Sequence, residues 1–170
     1  VRFSSQLKED LSRRDFTVNA MAYNYQNGLV DEFGGLRDLQ NGVIRTVGKS
    51  ATRFSEDGLR ILRGLRFAAV LNFTIEKETA KAIHTCRNLL QNIAGERIHT
   101  EFTKILLSDN PAAIIRQYTD VIGVFLPEIL PLQNCAQNHP YHAYDVFEHT
   151  MKALENTPPD KIIRYAVLFH

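Results

Sequence analysis

The chain has 170 residues and a formal net charge of +1, with 44% hydrophobic and 23% charged residues. These values are typical of one globular domain of ordinary size or two small ones, and they exclude a disordered or low-complexity chain. No apolar run approaches the roughly 20 residues that a membrane-spanning helix needs. Cys86 and Cys135 match no metal or disulfide spacing, so we expect a reducing, cytoplasmic setting without a membrane.

The first third of the chain predicts short mixed elements. Phe16–Asn24 has the pattern of a short helix, with Asp15 or Thr17 as its N-cap. Two short strands are predicted within residues 28–47, in "GLVDEFGG" and "VIRTVG", on either side of the turn and helix "GLRDLQNG".

Helical patterns dominate from Ser55 onward. Ser55 is the predicted N-cap of the first of these helices, and Glu56 and Asp57 lie in its first turn. Its apolar face has a period near 3.6 and is formed by Leu59, Leu62, Leu65 and Ala69. Further helices are predicted in "IEKETAKAIHTCRNLL", "ERIHTEFTKILLS", "NPAAIIRQYTDVIGVFLPEILP" (broken at Pro127), "YDVFEHTMKALENT" and "DKIIRYAVLFH". The predicted fold class is α+β and predominantly α-helical.

The middle of the chain is its basic part. Residues 1–50 carry a net charge of +1, residues 51–108 carry +3 and residues 109–170 carry −3. A mild basic excess is typical of a surface that contacts phosphate or RNA, although a solvated helical surface has the same composition. Asp57 and Arg60 are spaced as an i, i+3 ion pair, which on an exposed helix contributes only about 0.3–0.5 kcal/mol.

Four segments occur in an order that resembles a known family. They are "EDLSRRDFTVNAMAYN", "DEFGGLRDLQNGVIRTVG", "RFSEDGLRILRGLRFAAVLNFTIE" and "GERIHTEFTKILLS". Together they resemble the bacterial class II tRNA nucleotidyltransferases, the CCA-adding enzymes, and the related bacterial poly(A) polymerases, from Leu7 to about Ser108. The resemblance implies addition of CMP and AMP from CTP and ATP to the 3′ end of tRNA, without a nucleic-acid template.

The resemblance also divides the chain. Residues 1–50 are expected to form the C-terminal part of a nucleotidyltransferase head, and residues 51–112 a helical neck that recognises the base. Residues 113–170 are expected to form a helical body that begins an HD-like domain. The chain starts at Val1 and ends in an apolar run, so we expect it to be a segment of a longer protein.

The resemblance implies a role for each matched residue. The residues expected to bind nucleotide are Arg14, Asp15, Asn19, Asp57, Arg60 and Arg63. Asp15 with Arg14 would select the ribose, the pair Asp57 and Arg60 would read the base, and Arg63 would be an auxiliary contact to base or phosphate. The residues expected to act as hinge or support are Asp31, Gly34, Gly35, Asp38, Glu96 and Arg97.

A base reader made of an acid and an arginine has a physical rationale. A carboxylate only accepts hydrogen bonds and a guanidinium only donates them. Cytosine and adenine present an amino donor beside a ring acceptor, which fits such a pair. Uracil and guanine present the opposite pattern, and the mismatch leaves polar groups unpaired, which can discriminate by several orders of magnitude.

The family's chemistry needs Mg²⁺, and we expect the carboxylates that bind it to lie outside this chain. No catalytic residue is assigned here, Glu9 and Asp10 are not expected to be metal ligands, and the chain alone is expected not to extend tRNA. His149 and His170 are weak metal candidates, with His142 nearby in sequence, because an HD site begins with such a histidine. The alternatives are an HD-type metal-dependent phosphohydrolase domain, a bacterial poly(A) polymerase, or a helical RNA-binding or structural module without catalysis.

Overall fold

The computed structural model describes residues 7–135 and 144–170, and helices predominate in both ranges. The α-helices are α1 (Leu7–Ser12), α2 (Gly35–Gln40), α3 (Ser50–Glu56), α4 (Leu59–Leu71), α5 (Lys77–Cys86), α6 (Gly95–Leu106), α7 (Pro111–Gln117), α8 (Thr119–Ile122), α9 (Val146–Glu155) and α10 (Lys161–Leu168). The 3₁₀-helices are Thr17–Asn19, Arg87–Asn92 and Pro127–Leu132, and the strands are β1 (Ala22–Asn24), β2 (Gly28–Val30), β3 (Val43–Ile44) and β4 (Thr74–Ile75). The predicted fold class, mainly helical with a little sheet, is confirmed.

The strands form two small sheets. Strands β1 and β2 are an antiparallel hairpin in which Ala22 lies opposite Val30. Strand β3 pairs in parallel with β4, with Ile44 opposite Ile75, so the chain returns to the mixed region after helix α4. The two predicted strands in residues 28–47 are therefore present, and their partners β1 and β4 were not predicted as strands.

The helix predicted over Phe16–Asn24 is wrong. Only Thr17–Asn19 turns, as a 3₁₀-helix, and Ala22–Asn24 is a strand. The Asn19 side chain accepts a hydrogen bond from the Phe16 backbone N–H at 3.2 Å, which closes the turn locally. Asn and similar short polar side chains compete with helix hydrogen bonds in this way.

Ser55 is not an N-cap. It lies inside α3, where its hydroxyl donates to the Thr52 carbonyl at 2.8 Å. The chain breaks at Asp57, whose backbone is extended, and the Asp57 carboxylate accepts from the Leu59 N–H at 3.0 Å. Asp57 therefore takes the capping role at the start of α4, as acids at this position do.

Helix α4 is the centre of the hydrophobic core. It packs most extensively on α6, and it also contacts α3, α7, β3 and β4. Its inward side chains include Ile61, Leu62 and Leu65, each fully buried. The segment predicted as one helix up to Pro127 is interrupted at Tyr118, between α7 and α8. Because α4 touches both the mixed N-terminal region and the helices that follow, it positions residues from distant parts of the sequence around its first turns.

Candidate nucleotide-binding site

A polar cleft of about 260 Å³ lies where the end of α1 and the turn after it meet the first turns of α4. Its lining consists of Arg13, Arg14, Asp15, Asn19, Asp57, Leu59, Arg60, Arg63 and Arg97. All six residues expected to bind nucleotide lie in this lining. The lining has five arginines and two carboxylates, so it favours an anionic ligand such as a phosphate.

Asp15 is almost fully buried, with 6% of its surface exposed. Its Oδ1 accepts from the Asn19 amide at 2.6 Å and from the Phe16 N–H at 3.1 Å, and its Oδ2 accepts from Arg63 Nε at 2.5 Å. Burial alone would raise the pKa of Asp15, but the hydrogen bonds from Arg63 and Asn19 outweigh it and hold the pKa below its usual value. The carboxylate is therefore ionised and fixed in direction.

The expected ion pair between Asp57 and Arg60 is wrong for this structure. Asp57 Oδ2 instead accepts from Arg97 Nη2 at 3.1 Å, across 40 residues of sequence. Arg60 pairs with Glu56 at 2.6 Å and donates to the Arg13 carbonyl at 3.1 Å. Asp57 lies before α4, which begins at Leu59, so its side chain caps this helix and bridges to α6. The Arg60 side chain bridges instead to α3 and to the turn after α1. Both side chains still line the same cleft.

Hydrogen-bonding capacity remains on both side chains. The Asp57 carboxylate offers about four acceptor positions, and the described contacts with Leu59 and Arg97 use two. The Arg60 guanidinium has five N–H donors, and the described contacts use Nη1 twice and Nη2 once. An acceptor and a donor are thus available together without breaking either side chain's protein contacts.

Arg14 is the most exposed of the expected nucleotide ligands with a described ion pair. It pairs with Asp10 at 3.2 Å, and both side chains are more than half exposed. An exposed pair of this kind contributes about 0.2–1 kcal/mol, so its exchange for a ligand phosphate costs little.

The paired glycines hold the turn before α2. Gly34 has φ of +74°, a conformation that glycine adopts readily, whereas Gly35 is the first residue of the helix and has no positive φ. At Gly35 an added Cβ would lie 2.2 Å from the Thr17 carbonyl oxygen, so a close approach requires this glycine. Asp31 accepts from the Gly35 and Leu36 N–H groups at 2.7 and 2.9 Å and caps α2.

Asp38, in α2, forms hydrogen bonds in the same region. It is 2% exposed and accepts from the Thr17 hydroxyl at 2.7 Å and from Arg45 Nε at 3.0 Å. These contacts join α2, the Thr17–Asn19 turn and the segment after β3. The supporting role expected of Asp31 and Asp38 therefore has a described structural basis, and motion at the hinge stays a prediction.

Helix α6 contributes one residue that the sequence placed only in a support role. Arg97 lies in the cleft wall on Asp57, whereas Glu96 is exposed in the first turn of α6. Glu101 is 6% exposed and forms ion pairs with Arg66 at 3.2 Å and with Lys104 at 3.4 Å. Nothing in the local pattern around Arg97 points to the cleft, because its partner is 40 residues away. Arg13 also lines the cleft, and its place beside Arg14 in "RRDFT" was the available sequence indication.

The candidate metal-binding histidines His149 and His170 are not part of a ligand cluster among the described residues. The ranges 7–135 and 144–170 contain no group of three or more His, Cys, Asp or Glu residues that could hold a metal ion. His149 lies in α9, and His170 lines an apolar cavity of about 160 Å³ with Leu132 and Phe169. His142 lies outside the described residues.

None of the helices in the described part of the chain has the length and apolarity to cross a bilayer.

Comparison with protein families matches two models in this order along the chain. Residues 1–45 match the poly A polymerase head domain, and residues 72–131 match the probable RNA and SrmB-binding site of polymerase A. The two matches together cover more than half of the chain.

Three similar proteins illustrate the relationship. The CCA-adding enzyme of Ligilactobacillus salivarius (strain UCC118) is 46% identical over 120 residues, which are 71% of this chain and 30% of that enzyme. The crystal structure of the Bacillus stearothermophilus CCA-adding enzyme in complex with CTP has a TM-score of 0.67 and 38% identity, covering 69% of this chain and 30% of that one. The structure of the Thermotoga maritima CCA-adding enzyme complexed with tRNA-CCA has a TM-score of 0.65 and 29% identity. The match covers 96% of this chain and 44% of that one.

The chain thus spans less than a third of the length of the curated relatives it matches. The head and RNA-binding matches, the sequence identity and the shared backbone agree with one another. The chain belongs to the family of CCA-adding enzymes and poly(A) polymerases.

Proposed function

We propose that this chain forms the nucleotide-selecting part of an RNA nucleotidyltransferase that adds CMP and AMP to the 3′ end of tRNA without a nucleic-acid template. The observation that carries the proposal is the arginine-rich cleft that collects Arg14, Asp15, Asn19, Asp57, Arg60 and Arg63 from two segments of the chain, residues 14–19 and residues 57–63. Relatives complexed with CTP and with tRNA-CCA support the substrate class.

Base selection follows from the free hydrogen-bonding capacity of two side chains. Asp57 accepts from the amino group of cytosine or adenine, and Arg60 donates to the adjacent ring acceptor. Uracil and guanine place a carbonyl oxygen opposite the carboxylate and a ring N–H opposite the guanidinium. Both contacts then fail, and the loss of two charge-assisted hydrogen bonds accounts for rejection of UTP and GTP.

The remaining cleft arginines supply positive charge for the phosphates of the nucleotide. Arg14 is the one whose exposed partner, Asp10, is most readily exchanged. We propose Mg²⁺ as the cofactor of the whole reaction, since nucleotidyl transfer develops charge on the phosphate. The described residues form no cluster that fits the ion, so no step through it is assigned to this chain.

A nucleotide titration tests the proposal directly. The 170-residue chain is titrated with CTP, ATP, UTP and GTP, and CTP and ATP should bind at least about tenfold more tightly than the other two. Equal binding of all four nucleotides, or no binding, would contradict the proposal. The match to a poly A polymerase head favours one alternative product, AMP alone, and binding of ATP without CTP would support it.

A chimera extends the test to activity. Residues 7–108 replace the corresponding segment of the Ligilactobacillus salivarius CCA-adding enzyme, to which this chain is 46% identical over 120 residues. We expect the chimera to add CMP and AMP, and not UMP or GMP, to a tRNA that ends before its CCA. A folded chimera that adds all four nucleotides would show that base choice lies outside this segment.

A further inference from the structure

Arg63 is bound to a carboxylate in the wall of the cleft. Its Nε donates to Asp15 Oδ2 at 2.5 Å, and its side chain is 33% exposed while that of Asp15 is 6% exposed. A buried carboxylate that loses its charged partner is left uncompensated, which is strongly unfavourable. Arg63 therefore cannot leave Asp15 for a base or a phosphate without a large cost.

The surrounding packing holds the Arg63 guanidinium where it is. Its central carbon lies 5.8 Å from the centre of the Phe67 ring, and Phe67 packs edge-to-face on Phe16 with ring centres 5.7 Å apart. Phe16 is fully buried against Gly64, where an added Cβ would lie 3.0 Å from the Phe16 ring. Arg63 thus sits at the junction between α4 and the turn that carries Asp15.

The hydrogen bonds of Asp15 leave about one acceptor position on its carboxylate unused. The Asn19 amide, the Phe16 N–H and Arg63 occupy three of about four acceptor positions on the carboxylate. The one that remains fits a single hydroxyl donor. Within a nucleotide, the donors of this kind are the ribose hydroxyls, and deoxyribose lacks the one at the 2′ position.

We propose that Arg63 is a positioning residue for sugar selection, which acts by holding the Asp15 carboxylate ionised and aimed at the ribose, and that it does not read the base. This inference rests on the proposed function, and it departs from the expectation that Arg63 contacts base or phosphate. In this arrangement the Asp15 carboxylate accepts a hydrogen bond from the ribose 2′-hydroxyl. Arg63 and Asn19 determine its direction.

The test compares ribose with deoxyribose in variants of the whole chain. Dissociation constants for CTP, dCTP and UTP are measured for the wild type, Arg63→Gln, Arg63→Lys and Arg37→Gln. In Arg63→Gln the preference for CTP over dCTP should fall by about tenfold or more, whereas the preference for CTP over UTP should stay within about twofold. Arg63→Lys keeps the charge and a hydrogen-bond donor for Asp15 but loses the planar guanidinium, so it should recover part of the sugar preference. Arg37 is exposed in α2 and is absent from the cleft lining, so Arg37→Gln should change neither ratio.

Each other outcome has a defined meaning. An equal loss of CTP and dCTP affinity would show that Arg63 contacts phosphate, and a changed ratio of CTP to UTP would show that it reads the base; either result overturns the inference. If wild-type chain binds no nucleotide, the proposed function fails and the inference falls with it. If it binds CTP and ATP selectively while Arg63→Gln keeps full sugar preference, only the inference fails.

A second readout needs no nucleotide. The Asp15 carboxyl is titrated by NMR in the wild type and in Arg63→Lys and Arg63→Gln. The pKa of Asp15 should rise in Arg63→Gln, because the charged partner is lost, and it should rise less in Arg63→Lys. The other charged groups of the cleft, which are the same in all these proteins, are Arg13, Arg14, Asp57, Arg60 and Arg97. An unchanged Asp15 pKa would overturn the positioning role even if the binding ratios moved.

Discussion

All five cleft arginines are each paired with a carboxylate. The pairs are Arg13 with Glu9, Arg14 with Asp10, Arg60 with Glu56, Arg63 with Asp15 and Arg97 with Asp57. These pairs fix long side chains that would otherwise lose rotamer freedom when a ligand binds. Pre-organisation of this kind improves affinity by lowering the entropic cost of association.

The base-reading residues carry the first prediction. Asp57→Ala removes the acceptor for the amino group, and Arg60→Ala removes the donor to the ring acceptor. Each lost charged hydrogen bond should weaken binding of CTP and ATP by about 10- to 150-fold, with a smaller effect on UTP and GTP. The four dissociation constants, measured side by side, give the ratios that matter.

A matched control separates selectivity from charge. Asp120→Ala removes an exposed aspartate that pairs with His84 and is absent from the cleft lining, so all four constants should be unchanged. If Asp57→Ala and Arg60→Ala leave the ratios of CTP to UTP and ATP to GTP intact, these side chains serve only the local ion pairs and base choice is made elsewhere.

Tyr118 carries a prediction about stability. The residue is fully buried, and its hydroxyl has no hydrogen-bond partner among the described residues. Replacement of an unpaired buried hydroxyl by hydrogen is neutral or stabilising, so Tyr118→Phe should not lower the free energy of unfolding and should raise it by up to about 1 kcal/mol. Chemical denaturation at neutral pH checks this, and a loss of more than 1 kcal/mol would reveal a partner for the hydroxyl.

The same residue predicts an alkaline effect. Burial, with a contribution from Asp120, raises the pKa of Tyr118 from 10.0 to about 12. Because the pKa of Tyr118 is higher in the folded chain than in the unfolded chain, its contribution to the free energy of unfolding is complete below pH 10 and is lost as the pH rises towards 12. Wild-type stability should therefore decline more steeply over this range than that of Tyr118→Phe, and parallel profiles would contradict the assignment.

At the scale of single elements, the turn before α2 joins the N-terminal segments. Gly34 needs its positive φ, Gly35 needs the absence of a Cβ, and Asp31 closes the turn by accepting two helix N–H groups. A positive φ, a close backbone approach and a side-chain cap thus fix one turn. Because Gly35 packs directly on the Thr17 carbonyl, the turn sets the position of α2 relative to the segment that carries Asp15.

Gly35→Ala tests how tightly this turn is constrained. The new Cβ would lie 2.2 Å from the Thr17 carbonyl oxygen, so backbone must shift, and we expect a loss of about 3 kcal/mol or more in the free energy of unfolding. Gly95→Ala is the control, because Gly95 has no atom within 4 Å of the added Cβ and no positive φ. It should be neutral or stabilising by about 0.4–1 kcal/mol. Equal midpoints for the two variants in urea would show that the turn adjusts freely.

At the scale of the whole molecule, a buried arginine connects the last helices to the end of α6. Arg164 in α10 is 4% exposed, and its guanidinium donates to the carbonyl oxygens of Leu106, Ser108, Thr157 and Pro158. Leu106 is the last residue of α6, Ser108 lies just after it, and Thr157 and Pro158 lie between α9 and α10. One side chain therefore joins the connection between α9 and α10 to the end of α6, where Leu106 and Ser108 lie 58 and 56 residues before Arg164 in sequence.

Arg164→Ala should destabilise the protein by about 3 kcal/mol or more, because four carbonyl groups, of which those of Leu106 and Ser108 are buried, lose a charged donor at once. Arg164→Lys should recover only part of this loss, since an ammonium has three donors and no planar fork. Lys161→Ala, at an exposed position of the same helix, should stay within about 0.5 kcal/mol of the wild type. Thermal and urea unfolding of the three variants measure these differences, and a small effect at Arg164 would show that the last helices are held by apolar packing alone.

Local pattern determined a good part of the fold. The apolar period of Leu59, Leu62 and Leu65 predicted a helix whose buried face is the core of the molecule, because amphipathic spacing reflects which side must be buried. It failed at Phe16–Asn24, where the strand partner Gly28–Val30 and the Asn19 side chain outcompete a helix. The start of α4 was misplaced because Ser55 and Asp57 are both acceptable caps, and only packing distinguishes them.

By itself, the sequence determined the family resemblance, the predominantly helical class and the residue types that meet in the cleft, since these follow from short-range spacing and order along the chain. Only the tertiary structure decided which charges pair. Asp57 lies opposite Arg97 rather than Arg60, and Arg63 lies on Asp15, because ion pairs across 40 and 48 residues depend on how α4 and α6 pack on the N-terminal turn. Coulomb attraction acts over a few ångströms in space, whatever the separation in sequence, and that distance exists only in the folded chain.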